Sequence, residues 1–170
     1  DRPDSGELHF LGKTTAGFSE KDWSRVRGES IGIIFQQYHL LPSLTALENV
    51  TLPLEIHKKV KGAAAASEVA RATLKDLGLD SRVNHLPSQL SGGECQRVAL
   101  ARVLVMEPKL ILADEPSGSL DDETGARVMD ILFSLVRARG LTTILVTHNA
   151  ALAQRCDRAV RLSGGQIHPC

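Results

Sequence analysis

Leu90-Ser91-Gly92-Gly93-Glu94 opens a predicted helix, and Leu110-Ile111-Leu112-Ala113-Asp114-Glu115-Pro116 closes the same segment with a strand that ends on two adjacent carboxylates. A helix N-terminus attracts phosphate, because its unpaired N–H groups and the positive end of its dipole face outward. Glycine at 92 and 93 leaves the backbone open to close approach by such a group. Ser91 and Glu94 have capping-box spacing, which fixes where the helix starts. Leu110 to Ala113 is continuously apolar, as expected of a strand covered on both faces. Carboxylates just past such a strand can hold Mg²⁺ and orient or deprotonate a water.

Working outward toward the C-terminus, Asp121 is placed to cap a helix whose apolar face is Val128, Ile131, Leu132, Leu135 and Val136. Gly140 closes that helix. Thr142 to Val146 is a second buried-strand pattern, ending at Thr147-His148-Asn149. A short helix from Ala150 to Arg155 follows, then a strand over 159–162, and Gly164-Gly165 turns it into Gln166-Ile167.

Toward the N-terminus, Leu86 to Leu90 leads into the first helix. Residues 43 to 105 read as all-helical. Thr45 and Glu48 form a capping box for a helix to about Lys58 that contains Pro53, and Ala63 to Leu77 is a second helix stopped by Gly78. Its apolar stripe is Val69, Leu74 and Leu77. Ile31-Gly32-Ile33-Ile34-Phe35 is a buried strand delivering Gln36 and Gln37 into a loop. Before it, Ser19 and Asp22 start a short helix that Gly28 is expected to end. Gly6 to Leu11 reads as an edge strand. Gly12-Lys13-Thr14 resembles the end of a phosphate-binding loop, but no glycine stands five positions before Gly12 and the intervening residues are bulky. It reads as a turn.

Strands alternating with helices at this spacing imply a parallel α/β sheet, and such sheets bind ligands beyond the carboxyl ends of their strands. Gln36 alone reads as a loop amide. Gln36, Asp114, Glu115 and His148 all fall just past predicted strand ends, and that convergence makes each a candidate site residue.

The 170 residues fit one domain, or one with a small lobe, and no apolar run reaches membrane-spanning length. Lys+Arg 20 against Asp+Glu 20 gives no basic surplus, which argues against nucleic acid as a partner. The odd count of cysteines, Cys95, Cys156 and Cys170, argues against a disulfide framework, and the dispersed histidines against zinc. The chain begins Asp1-Arg2-Pro3-Asp4, with no Met and no visible signal peptide, so it is not expected to mark a natural start.

Leu90 to Glu94 with Gln96-Arg97-Val98-Ala99-Leu100-Ala101-Arg102 resembles the signature motif of ABC-type ATPases. Leu110 to Pro116 looks like their Walker B motif. Ser119-Leu120-Asp121 looks like the D-loop, Thr147-His148 the H-loop, and Phe35-Gln36 the Q-loop. Phe35 to Pro42 and Thr45 to Val50 are similar to the bacterial branch of lipoprotein-release, macrolide-export and FtsE-like ATPases. Gln154 to Arg158 resembles its YbbA-type members. Asp1 to Glu7 is similar to the segment that follows the Walker A helix, so Walker A and the adenine-stacking aromatic are expected to precede Asp1. Cys95 stands where glutamine is usual, and Ser117 and Ser119 replace the more frequent Thr and Asn.

The resemblance implies a P-loop NTPase-like (RecA-like) α/β core with an inserted all-helical lobe, N-terminally truncated. It divides the chain into a core remnant with the Q-loop at 1–42, the helical lobe at 43–105, and the core with Walker B, D-loop and H-loop at 106–170. By motif position, Asp114 and Gln36 would hold Mg²⁺. Glu115 would orient or deprotonate the attacking water, and His148 would contact the γ-phosphate of ATP. Gln36 would sense that phosphate and couple to the membrane partner. Ser91, Gly92, Gly93 and Glu94 would serve ATP held by a second subunit in a head-to-tail homodimer, with Asp121 passing information across the interface.

The implied partners are that second ATPase subunit and a membrane permease, at the cytoplasmic face of the inner membrane, with export or lipoprotein-related work. Without Walker A the 170 residues alone are expected to be inactive. The resemblance also admits a non-catalytic remnant that acts as an interaction module, and FtsE-like signalling. A chromosome-maintenance ATPase is disfavoured, because Gln36 to Ser91 spans only 91 − 36 = 55 positions, too few for its long coiled coil.

Overall fold

The computed structural model describes residues 4–170, so the expectation for Asp1 to Pro3 lies outside the described residues. The phosphate-loop look-alike is a hairpin. β1 (His9–Phe10) pairs antiparallel with β2 (Lys13–Thr14). Leu11 and Gly12 turn between them at φ 49 and 75, as a two-residue hairpin turn requires. The expected edge strand over 6–11 is therefore only two residues long. α1 (Glu20–Ser30) starts at the predicted capping box, with Ser19 Oγ accepting from Asp22 N–H at 3.2 Å. Gly28 does not end α1. It lies inside the helix, beside the exposed His57 ring, whose Cε1 a Cβ would approach to 2.1 Å.

β3 (Ile31–Ile34) follows directly. The loop after it leads to α2 (Ala46–Ile56) and α3 (Ala63–Asp76), and α2 accommodates Pro53 without ending. Asn49, fully buried on α2, organises the loop before it. Its Oδ1 accepts from Leu41 N–H at 2.8 Å, and its Nδ2 donates to the carbonyls of Leu41, Leu44 and Thr45 at 3.0–3.1 Å. Gly78 stops α3 at φ 70, with Leu79 N–H bonded back to Leu74 O. The buried stripe of α3 is Ala66, Ala70, Thr73 and Leu74, continued by Leu77, whereas Val69 is exposed. Leu74 and Leu77 of the expected stripe are buried, and Ala66 and Ala70 take the place expected of Val69.

α4 (Gly92–Leu104) is the central helix. Gly93, Cys95, Gln96, Val98 to Ala101, Val103 and Leu104 are all buried, so it is enclosed on most sides, as a helix with little polar surface must be. It packs on α2 and α3 and also on β3, and the hydrophobic core runs continuously from the helices to the sheet. Each fully buried leucine, such as Leu100 and Leu104, contributes about 2 kcal/mol of transfer free energy.

β4 (Leu110–Asp114) lies between β3 and β5 (Thr142–Val146) in one parallel sheet. Ile31 stands opposite Leu110, and Asp114 opposite Val146. α5 (Asp122–Arg139) connects β4 to β5 and buries Val128, Met129 and Leu132, with Ile131, Leu135 and Val136 partly covered. Gly140 ends it at φ 60. Within the described residues β4 is fully covered on one face only: Ile111 and Ala113 are buried, Leu110 and Leu112 are partly covered, and Ile33, Ile144 and Val146 on the neighbouring strands are exposed. α6 (Ala150–Ala153) is shorter than expected. β6 (Val160–Ser163) and β7 (Gln166–Pro169) form the predicted hairpin around Gly164-Gly165. Among the described residues no helix is long and apolar enough to cross a membrane.

Candidate functional site

The parallel register places the ends of β4 and β5 side by side, and the polar residues gather there. Glu115 N–H continues the pairing to Val146 O at 3.0 Å. Glu115 then turns the chain out of the sheet in the left-handed region, φ 44, a conformation that costs a non-glycine residue about 1 kcal/mol or more. Its side chain is held in return. Oε1 accepts from His148 N–H at 2.8 Å and bonds His148 Nδ1 at 2.6 Å, while Oε2 has only a long contact, 3.4 Å, from the Thr147 hydroxyl. A carboxylate only accepts, so Nδ1 carries the hydrogen and Nε2 is the free nitrogen of an imidazole that is 84% exposed. Asn149 caps α6 through Oδ1, which fixes the backbone directly after His148.

Glu115, His148 and Asp121 line one polar cleft of about 480 Å³. Asp121 caps α5, its Oδ1 accepting from Thr124 N–H at 2.9 Å. That bond lowers its carboxyl pKa below the usual range. Asp114 is exposed at the end of β4.

The loop from Glu115 to Asp121 joins this cleft to the remaining candidates. Gly118 sits under Gln36, so that a Cβ on it would come within 3.0 Å of Gln36 Nε2. The Ser119 hydroxyl donates to Gln36 O at 2.9 Å. Leu120 and Tyr38 border Gly92, and Thr124 borders Gly93: a Cβ on Gly92 would meet Tyr38 Oη at 2.8 Å, and one on Gly93 would meet Thr124 Cγ2 at 2.4 Å. Packing inside the chain thus favours glycine at 93, which is buried against Thr124, more than at 92, where the close neighbour is the tip of the Tyr38 side chain.

Ser91 is the N-cap of α4, accepting from Glu94 N–H at 3.2 Å, while Glu94 Oε2 accepts from Ser91 N–H at 2.8 Å. Glu94 Oε1 pairs with Arg82 Nε at 2.8 Å. The Ser91 N–H and the Arg82 guanidinium together hold the Glu94 pKa below its ordinary value. Both Glu94 oxygens are engaged within the chain, one capping α4 and the other pairing with Arg82.

The model of the ABC transporter family matches residues 1–118. The chain belongs to the ABC transporter family. It is similar, at 47% identity over 100% of this chain and 75% of the relative, to the lipoprotein-releasing system ATP-binding protein LolD of Syntrophus aciditrophicus. It is 46% identical, over 98% of this chain and 72% of the relative, to the uncharacterized ABC transporter ATP-binding protein YbbA of Escherichia coli K12. It is an ABC ATP-binding subunit of the LolD/YbbA branch. Its fold matches the dimeric ATP-binding cassette MJ0796 in a post-hydrolysis state bound to ADP and Pi. There the TM-score is 0.83 and the identity 38%, over 98% of this chain and 73% of that one. The α/β architecture is that of an ABC ATPase core.

The family binds ATP, typically with Mg²⁺. Among the described residues no three His, Cys, Asp or Glu side chains form a metal cluster. Asp114 and Gln36 offer hard oxygens, which suits Mg²⁺, an ion that keeps most of its water and takes one or two protein oxygens beside phosphate. Several residues of the cassette carried no role in the sequence. Gln96 is buried and its Nε2 donates to Pro116 O at 2.6 Å. Arg102 reaches the loop after β3. Thr124 dictates Gly93. Gln96 and Arg102 are polar residues in a helix that is mostly buried, and that contrast was the available signal.

Proposed function

We propose that this cassette belongs to an ATPase subunit that works as a homodimer and couples MgATP hydrolysis to a membrane permease in lipoprotein release or related lipid export, at the cytoplasmic face of the inner membrane. The observation that supports it most is the Glu115–His148 pair at the ends of adjacent parallel strands. Oε1 of Glu115 is occupied by His148, and Oε2 keeps the capacity to accept a proton from water. As that water bonds to the γ-phosphorus and ADP leaves, the proton passes to Glu115. His148 orients Glu115 through Nδ1 and contacts the γ-phosphate through Nε2, donating to a phosphate oxygen when the ring carries both hydrogens. Mg²⁺ at Asp114 and Gln36, when bound, neutralises charge on the phosphate oxygens. In such phosphoryl transfer, catalysis is mostly positioning and electrostatics.

Ser91, Gly92, Gly93 and the N-terminus of α4 face the partner subunit's γ-phosphate, and Asp121 lies at the same interface. Glu94 acts indirectly by fixing Ser91. The chain divides functionally at 42/43 and 105/106 into core, helical lobe and core. The relative named for lipoprotein release supports the cargo class.

The 170 residues alone do not turn over ATP on this reading, since Lys13 lies in a hairpin and not in a phosphate loop. The test is ATP hydrolysis with Mg²⁺ by the full-length protein and by the 170 residues. Turnover in the full-length protein only is expected. Equal turnover in both would overturn the claim about the isolated chain, and none in either would overturn the ATPase reading.

A further inference from the structure

The loop from Phe35 to His39 has almost no structure of its own. Beyond the strand ladder, residues 36–40 make no backbone–backbone hydrogen bond within the described residues. Its carbonyls are instead taken by distant side chains. Gln96 Nε2 lies 3.4 Å from Phe35 O, the Ser119 hydroxyl donates to Gln36 O at 2.9 Å, and Arg102 donates to Tyr38 O at 3.1 Å and to His39 O at 2.6 Å. His39 is left-handed at φ 46 and sits edge-on to the Phe35 ring, with centroids 4.8 Å apart. A chain held in that conformation without glycine needs an outside constraint.

Arg102 supplies the largest part of it. The guanidinium is partly buried, which pulls its pKa down, and among the described residues it has no carboxylate partner. A planar fork with two donors to two successive carbonyls cannot be reproduced by a single ammonium.

We propose that Arg102 is a positioning residue for the reaction: by gripping the Tyr38 and His39 carbonyls it holds Gln36 over Gly118, and so ties the orientation of Gln36 to the helix whose N-terminus carries Ser91 and Gly92. The inference concerns the same site as the proposed function and rests on that reading for its kinetic consequence only. Its structural content is independent. Without the fork, two carbonyls and a left-handed His39 lose their constraint, and the loop opens while α4, buried on its other faces, stays in place.

The experiment uses the full-length protein with Arg102→Met, which keeps the stem, and Arg102→Lys, which keeps the charge. Limited chymotrypsin digestion reads the loop directly. Cleavage after Tyr38 is expected to rise about tenfold in Arg102→Met, with cleavage after Trp23 unchanged. Arg102→Lys is expected to fall between Arg102→Met and the parent. In the kinetics, Arg102→Met lowers kcat by about tenfold or more with the KM for ATP changed less than about twofold. Combined with Gln36→Ala, it adds no further loss, because Arg102 acts through Gln36.

Unchanged cleavage after Tyr38 overturns the inference, and so does increased cleavage at both sites, which would mark general unfolding. Multiplicative kinetic losses in the double variant overturn the route through Gln36. If Gln36→Ala alone leaves kcat intact while cleavage after Tyr38 rises in Arg102→Met, the grip is upheld and the role given to Gln36 under the proposed function is what fails.

Discussion

Gly93→Ala separates packing from ligand access at the start of α4. The new methyl would lie 2.4 Å from Thr124 Cγ2, more than an ångström inside ordinary carbon–carbon contact. Thr124 cannot retreat freely, because it is β-branched and its N–H is bonded to Asp121 Oδ1 at 2.9 Å in the first turn of α5. Overpacking of this kind costs about 1–3 kcal/mol. Replacing glycine by alanine within a helix returns up to about 1 kcal/mol, less in the first turn. The net expectation is a loss of about 1–2 kcal/mol. For a chain of this size that lowers Tm by about 2–8 °C.

The assay is thermal and urea denaturation of Gly93→Ala with and without Thr124→Ser, which removes Cγ2 and keeps the hydroxyl. Thr124→Ser is expected to restore most of the lost stability. A Gly93→Ala variant as stable as the parent, or one that Thr124→Ser does not rescue, would refute the packing argument and leave only access to phosphate as the reason for glycine.

Asn49→Ala removes four hydrogen bonds to the backbone of residues 41–45 and strands the Leu41 N–H. Urea denaturation is expected to show a loss of about 2–4 kcal/mol, with an unchanged m-value. Glu94 has a lowered pKa in the folded chain, so its contribution is present above the ordinary value of 4.5 and is lost as pH falls through the lower folded value. Glu94→Gln should therefore be less stable than the parent near neutral pH, and the two should converge in acid, as read by urea midpoints from about pH 6 to pH 3.

The sequence exposed the site through strand ends. Gln36, Asp114, Glu115 and His148 follow apolar runs whose length and composition leave little choice, and the parallel register then brings Glu115 to His148. Capping boxes were equally legible at Ser19, Thr45 and Ser91, because each is set by residues three apart. Contacts between residues far apart were not legible. Gly28 reads as a helix stop until His57 is known to lie beside it. Gly92 and Gly93 read as phosphate glycines, and nothing local shows that Tyr38, Leu120 and Thr124 also stand against them. The left-handed backbone of Glu115 leaves no trace in local propensity, since a tertiary hydrogen bond to Val146 and the grip of His148 sustain it.

The most direct measurement is made on Glu115→Gln in the full-length protein, following MgATP turnover and ATP-dependent dimerisation by light scattering on the same sample. Glutamine keeps the shape and the capacity to accept from His148 but is a far weaker base. The account predicts turnover lowered by about a hundredfold or more, with dimers that form on ATP and persist. Rapid turnover by this variant would remove Glu115 from the proton-accepting role and contradict the account.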